Sequence, residues 1–516
     1  MADLDGRTLW ELIERRAAAS PDVLMSKDED GRTMTYGEYK VAAERAAAGF
    51  VAMGIGAGDN VSWELPTWLE SMVLVGALSR IGVVQNPLIP IYRAREVGFI
   101  AAQTKAKLLI VPGPWRGFDY GSMGEEVAGH VDGMGVLVVN RVLPDGDPST
   151  LPPPPATPDD PADLPVRWLF YTSGTTADPK GAQHTDATVK ASSNGMNLAL
   201  AITSDDRSAM VFPFTHIGGI TWLYTAMITG CSQLVVEAFD PKTTIPLMQA
   251  FDVTLAGAGT AFHTAYLIAQ RENPGAPLFP SVRAFPGGAA PKPPQLHYDM
   301  KKEMGGVGIV SGYGLTECPI LSMNKVIDPD DKLANTEGAH TPGVDIRVVT
   351  LEGKPAGAGE EGEIRVKGPQ LFRGYLDSSL DADAFDDDGY FRTGDLGNLD
   401  ADGFITITGR LKDVIIRKGE NISAKEIEDL LYAHPKVADV AVIGLPDPKS
   451  GERACAVVAC KPGGEPLTFL EMSEFLREKQ LRVQAIPEQL ELIDAVPRNP
   501  SGKILKHKLR ELYSSS

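Results

Sequence analysis

The sequence predicts an α/β chain in two parts, a large N-terminal α/β domain and a small C-terminal α+β domain. Three observations predict it. The 516 residues are too many for one hydrophobic core, so two or more domains are expected. Helical and strand periodicities alternate through residues 1–150, and from residue 166 to about 350 short apolar runs recur, each followed by glycine or polar residues. After Gly409 the texture changes to apolar strands around a capped helix.

Taken in order, Thr35-Tyr36-Gly37-Glu38 opens a stretch whose apolar positions Val41, Ala42, Ala46 and Phe50 keep a helical period. Trp68 to Ile81 reads as a second helix, closed by Gly82. Residues 151–163, with Pro152 to Pro155 in a row, form a stiff connector. Val166, Trp168 and Phe170 alternate as in a strand. Met210–Phe212, Leu234–Val236, Val253–Leu255 and Val307–Val310 read as buried strands whose C-terminal loops carry function, the usual arrangement in α/β sheets. Between Asp377 and Asp402 the aspartates Asp381, Asp383, Asp386, Asp387 and Asp388 read as a solvated face. Further on, Val414–Ile416 is a strand and Ser423-Ala424-Lys425-Glu426 a capping box. Ile427, Leu430 and Leu431 form one helical face, ended by Pro435. Val437–Ile443 and Ala454–Ala459 complete a unit of about 105 residues, enough for a small independent domain.

The composition, 43% apolar and 23% charged, is that of an ordinary globular protein. No apolar run reaches the ~18 residues of a membrane span, and Met1 to Asp5 lacks a signal-peptide pattern. The expectation is a soluble, cytoplasmic protein. Cys231, Cys318, Cys455 and Cys460 form no Cys-x-x-Cys, so neither a zinc site nor a disulfide framework is indicated. Cys318 reads as a buried filler and not a nucleophile. The net charge of −19 argues against nucleic acid as a partner. It also requires that any phosphate ligand be met by locally concentrated cations or a metal.

Five stretches carry chemistry. Tyr171-Thr172-Ser173-Gly174-Thr175-Thr176-Ala177-Asp178-Pro179-Lys180-Gly181 packs hydroxyls, glycines and a lysine into one loop, the groups a polyphosphate needs. It does not fit the Walker spacing, and a polar surface loop is the plain alternative. Ser311 to Glu317, Ser-Gly-Tyr-Gly-Leu-Thr-Glu, offers a ring to stack on a flat base, a hydroxyl for a phosphate and a carboxylate for Mg²⁺. A tight turn with a core tyrosine explains it equally. Phe285 to Pro291 is a strand-end loop that lets a ligand approach its backbone. Phe391-Arg392-Thr393-Gly394-Asp395 sets a carboxylate, a partner for a ribose diol, in a glycine turn. Gly409-Arg410-Leu411-Lys412-Asp413, Arg417-Lys418-Gly419 and Pro497 to Lys503 supply local cations, while Lys506, Lys508 and Arg510 read as a solvated basic face.

In order and spacing these motifs resemble the adenylate-forming superfamily of acyl-CoA synthetases, luciferases and peptide-synthetase adenylation domains. The resemblance covers about Leu9 to Leu512 and is closest to acyl-CoA synthetases of the fatty-acid–CoA ligase kind. It implies a large multi-sheet adenylation domain, residues 1–410, and a small mobile lid domain, residues 411–516, hinged near Lys412. It implies ATP and CoA as substrates, Mg²⁺ as cofactor, and two half-reactions separated by a large lid rotation.

The same resemblance assigns roles. Thr172, Ser173, Gly174, Thr175, Thr176 and Lys180 hold the β- and γ-phosphates. Gly288, Ala289, Ala290, Tyr313 and Gly314 line the adenine site, and Asp395 and Arg410 bind ribose. Thr316 touches the α-phosphate, and Glu317, with Thr172, holds Mg²⁺. Lys503 bridges the substrate carboxylate and the α-phosphate. His216 is the gating aromatic beside the acyl carbonyl, and Lys418 and Gly419 flank the CoA path. Gly218, Gly219, Gly257, Gly259, Phe285, Gly312 and Leu315 line the acyl pocket.

Ala177 departs from the family's usual glycine, at about 1 kcal/mol if that position needs a positive φ. The pocket positions carry no fixed charge, so the expected acid is apolar: fatty, alicyclic or aromatic, with a medium- or long-chain fatty acid favoured. The alternative is an acyl-AMP ligase that loads a carrier protein in trans, and a remoter one is an inactive nucleotide-binding scaffold. A homodimer is left open.

Overall fold

The computed structural model describes residues 3–172, 179–288, 292–417, 420–498 and 503–514. Its architecture is mixed α/β, with a large N-terminal and a smaller C-terminal domain, as the sequence predicts.

Helix Tyr36–Ala52 starts at a capping box, Thr35 accepting from the Glu38 N–H and Glu38 accepting from the Thr35 N–H. Its buried face is Tyr36, Tyr39, Ala43, Ala46, Ala47 and Phe50. Val41, read from sequence as a core position, is 55% exposed, because two tyrosines instead set the packed stripe. Helix Leu69–Arg80 is buried on almost every side, as expected of a central helix. It lies so close to the preceding helix that a Cβ at Gly76 would come 2.8 Å from the Tyr39 hydroxyl.

Strand Val166–Thr172 enters a six-stranded sheet whose order is Lys180–Thr185, Val166–Thr172, Val84–Pro87, Asn60–Trp63, Leu108–Pro112 and Gly135–Val139. All neighbours run parallel except the first pair, which is antiparallel with Thr172 opposite Lys180. A second sheet orders Arg207–Met210, Ser232–Val235, Leu24–Asp28 and Thr33–Thr35. A third orders Phe285–Gly287, Ile309–Tyr313, Ser322–Met323 and Ala339–His340. The predicted strand at Val253–Leu255 is reduced to single bridges, Leu255 meeting Ser208 on one side and Ala284 on the other. It therefore joins the second sheet to the third. The other apolar runs are strands shifted by one to three residues.

The antiparallel sheet of Asp345–Val349, Gly362–Lys367, Phe391–Leu399 and Ile405–Arg410 stops at Arg410. The short turn Leu411–Asp413 follows, and a separate five-stranded sheet begins at Ile415. There Ser423 caps helix Ala424–Tyr432 by accepting from the Glu426 N–H. The strands Val437–Asp447 and Gly451–Cys460 pair over a core of their own, with Ile427, Leu431, Met472 and Leu476 buried against them.

Two charge readings change. Asp386 is not solvated; it accepts from the N–H groups of Asp388 and Tyr390 and pairs with Arg365 at 3.1 Å. Lys506 pairs with Glu428 at 2.7 Å and Arg510 with Asp413 at 2.8 Å. Of the three cations read as a basic face, only Lys508 is exposed.

Candidate active site

Strand Ile309–Tyr313 ends in a tight turn in which Leu315 and Cys318 exchange N–H···O bonds of 3.1 and 3.2 Å. The turn lifts Thr316 and Glu317 out of the sheet. Gly314 is required there, since a Cβ would lie 2.4 Å from the Ile320 nitrogen. Cys318 is fully buried, and burial raises its thiol pKa, so it is the inert filler expected.

Glu317 is buried, and its Oε1 accepts from the Tyr375 hydroxyl at 2.7 Å. Burial raises its pKa, while Tyr375 and the charges of Lys180 and Lys503 oppose the rise. The Lys180 ammonium stands 5.2 Å from the centre of the Tyr375 ring. Tyr375 is thus a site residue that sequence reasoning missed; its one trace in the chain is a Gly-Tyr pair before the aspartate-rich stretch. His184 is a second. Its Nε2–H donates to the Thr316 carbonyl at 2.8 Å, and burial lowers its pKa to about 4, which keeps the ring neutral. It fixes the turn from below, and nothing in its local sequence announces that.

Asp395 and Arg410 are register partners on adjacent strands, with Arg410 Nε 3.1 Å from Asp395 Oδ1. The Tyr313 hydroxyl donates to the other oxygen of Asp395 at 2.6 Å. The tyrosine and carboxylate that sequence assigned to one nucleoside are therefore directly bonded. Lys503 joins this group from the far end of the chain. Its pKa is lowered to about 8 by burial and by Arg410 and Lys412, against the pull of Asp395 and Asp413. Lys503 also lowers the pKa of His216, which burial chiefly brings to about 4. His216 caps helix Ile217–Thr229 by accepting from the Gly218 N–H at 3.1 Å. A narrow cavity is lined by His216, Thr215, Thr316, Tyr92, Phe170 and Tyr171.

Glycines from three segments meet at the third sheet. A Cβ at Gly259 would lie 2.9 Å from the Gly288 carbonyl oxygen, and one at Gly288 would lie 3.0 Å from that of Gly312. Gly257 lies alongside, its carbonyl accepting from Tyr266. Two pocket assignments do not hold. Phe285 has no exposed surface and sits edge-on to His263 within the core. Gly219 is wedged against the Phe214 backbone, where a Cβ would lie 2.4 Å from its carbonyl oxygen, so it serves helix packing. Ser173, Gly174, Thr175, Thr176, Ala177, Ala289, Ala290, Lys418 and Gly419 lie outside the described residues.

Removal of the Tyr375 hydroxyl tests how far Glu317 depends on its donor. Tyr375→Phe is expected to raise the Glu317 pKa further, because the hydroxyl that favours the ionised carboxylate is gone, and infrared titration of the buried carboxyl checks it. An unshifted titration contradicts this.

A family model described as AMP-binding enzyme matches residues 13–376, and one described as AMP-binding enzyme C-terminal domain matches residues 426–503. A medium-chain fatty-acid–CoA ligase of Escherichia coli (strain K12) is 30% identical over 98% of this chain and 90% of its own. A salicyl-AMP ligase / salicyl-S-ArCP synthetase of Mycobacterium tuberculosis is 31% identical over the same shares. The crystal structure of ATP-bound MatB from Rhodopseudomonas palustris superposes with a TM-score of 0.85 at 28% identity, over 98% of this chain and 99% of that one.

Proposed function

The chain belongs to the AMP-binding enzyme family, and on that premise we propose that it activates an apolar carboxylic acid (fatty, alicyclic or aromatic) as acyl-AMP and then passes the acyl group to CoA. It is an AMP-forming acid–thiol ligase. The observation that carries the two-step reading is the place of Lys503. Over 300 residues from the Thr172–Lys180 segment, its charge acts on both His216 and Glu317.

In the first step a substrate carboxylate oxygen attacks the α-phosphorus of ATP, and the bond to the pyrophosphate oxygen breaks. Lys503 faces the negative charge that builds on the α-phosphate and the carboxylate. Thr316 meets the same phosphate, Lys180 takes the departing pyrophosphate, and Asp395 with Arg410 holds ribose. Glu317, a buried carboxylate with neighbouring cations, would hold a Mg²⁺ together with Thr172, and the ion would neutralise polyphosphate charge. In the second step the thiolate attacks the acyl carbonyl and AMP leaves with the bonding electron pair. His216, neutral at pH 7, flanks that carbonyl. Gly218, Gly257, Gly259 and Gly312 would offer the acyl group walls of backbone without side chains. We place the hinge at Lys412, between the sheet that ends at Arg410 and the one that begins at Ile415.

Transfer to a carrier protein in trans is the second reading, favoured by the salicyl-AMP relative. An acid panel decides. Pyrophosphate release with CoA acylation supports the first reading, and release without acylation of CoA supports the second. No release with any acid defeats both.

The pH dependence follows from Lys503. Its pKa is depressed to about 8, so the ammonium is complete below that value and lost as pH rises through it. The kcat/KM of pyrophosphate release reports the free enzyme and is expected to fall above pH of about 8. His216 titrates only near 4, so no histidine limb is expected around pH 6.5. A profile flat to pH of about 10 contradicts the assignment.

A further inference from the structure

A larger cavity, of about 150 Å³, lies between the start of helix Leu9–Ala19, the end of helix Leu69–Arg80 and the proline connector. None of its lining residues is among those assigned to nucleotide, acid or CoA. The connector is its roof and is tied down at two points. Arg80 Nη2 donates to the Pro152 carbonyl at 2.8 Å, and Arg7 Nη1 donates to that of Pro158 at 3.2 Å. Gly82 lets the roof approach: its φ is +73°, and a Cβ there would stand 2.5 Å from Pro155 Cγ. Proline rings, which carry no N–H, line the space together with the buried Val83 and Leu164.

One donor in this wall is unspent. Trp10 lines the cavity and is 4% exposed, and its Nε1–H meets no acceptor among the described residues. The ring is fixed in place, with the Arg80 guanidinium carbon 5.7 Å from its centre. A buried donor left unpaired is costly, so the site favours an occupant that brings an acceptor. The charges around it set a second condition. Glu11, Glu14 and Asp186 line the space and oppose an anion, while the Arg167 guanidinium beside them opposes a cation. We propose that this cavity is a second ligand site, for an uncharged, ring-sized molecule whose one acceptor oxygen takes the Trp10 N–H. Its volume is that of a cavity known to hold benzene. Its wall also includes Asp186, whose carboxylate accepts from Trp168 on the strand that ends at Thr172. An occupant therefore rests against a buried group bonded to that strand.

The test uses the full-length chain with ¹⁵N-labelled tryptophan. Its six tryptophans give six indole N–H resonances, and that of Trp10 is the one missing from Trp10→Phe. The probes are cyclohexanone and methylenecyclohexane, which has the same shape without the oxygen. Cyclohexanone is expected to move the Trp10 resonance downfield and to saturate at a concentration about tenfold below that at which methylenecyclohexane does. Ala156→Phe alters an exposed residue of the roof and fills the mouth of the cavity. It is expected to raise the half-saturating cyclohexanone concentration about tenfold, with the urea midpoint of the parent retained. A Trp10 resonance that neither probe moves means that the cavity holds water alone, and overturns the site. Equal half-saturation by the two probes overturns the role of the indole N–H. Undiminished binding in Ala156→Phe puts the probe elsewhere and overturns the site as well. Binding is read without turnover, so the outcome is independent of the proposed acyl transfer.

Discussion

Lys503→Ala is expected to cut the rate of pyrophosphate release by about 10²–10³, the scale of removing a group that meets charge only as it develops. Conversion of supplied acyl-AMP to the thioester is expected to stay within about threefold. The neighbours cannot compensate. The Arg410 guanidinium is spent on Asp395, and Lys180 stands at Tyr375. Neither of these two cations is placed to take over the charge of Lys503. Lys503→Arg separates charge from geometry. It restores a permanent cation and should abolish the fall in kcat/KM above pH of about 8, at a lower plateau, because a planar fork does not replace a compact ammonium. Equal loss of both half-reactions in Lys503→Ala would remove the lysine from the adenylation step. An alkaline limb that persists in Lys503→Arg would mean that some other group titrates there.

What could be read from sequence divides along a physical line. Residue types that owe their place to local geometry were legible, as with Gly314 in the turn before Glu317, where a Cβ would meet the Ile320 nitrogen. That is a short-range requirement and leaves a short-range pattern. Asp395, read as sitting in a glycine turn, lies instead within strand Phe391–Leu399, opposite Arg410. Tyr375 left only a Gly-Tyr pair and His184 nothing, because the one is 58 residues beyond Glu317 and the other 132 before Thr316. A bond at that separation is set by sheet order and not by spacing. Misplaced burial has the same origin. Val41 fits the helical period but loses the packed stripe to Tyr36 and Tyr39. Phe285 stands at a strand end but turns into the core. Lys506 and Arg510 look like a basic face until the small domain folds Glu428 and Asp413 against them. The identity of the acid stays illegible for a related reason. The residues proposed for its pocket at Gly257, Gly259 and Gly312 carry no side chain, so they record no chemistry.

Asp186→Ala is expected to be the costliest single change outside the reacting centre, lowering the unfolding free energy of the large domain by about 3–5 kcal/mol. The carboxylate is 6% exposed and accepts three hydrogen bonds: from the Leu9 N–H at 3.2 Å, Trp168 Nε1 at 2.9 Å and the Tyr224 hydroxyl at 2.6 Å. Alanine leaves three donors without an acceptor in an apolar surround, where each costs about 1–3 kcal/mol. The charge also sits in the first turn of helix Asp186–Leu200, where the helix dipole favours it. Asp186→Asn keeps one acceptor oxygen but turns an amide N–H toward a donor, so about half the loss is expected. The consequence reaches the site through two of the three donors. Trp168 lies on the strand that ends at Thr172, and Tyr224 on the helix that His216 caps. Loosening Asp186 therefore shifts Thr172, proposed to hold phosphate, and His216, proposed to flank the carbonyl, together, and KM for ATP and for the acid should rise in step. Urea unfolding followed by tryptophan fluorescence gives the stability loss. A variant as stable as the parent, or one in which only one KM moves, would show that Asp186 does not couple the two elements.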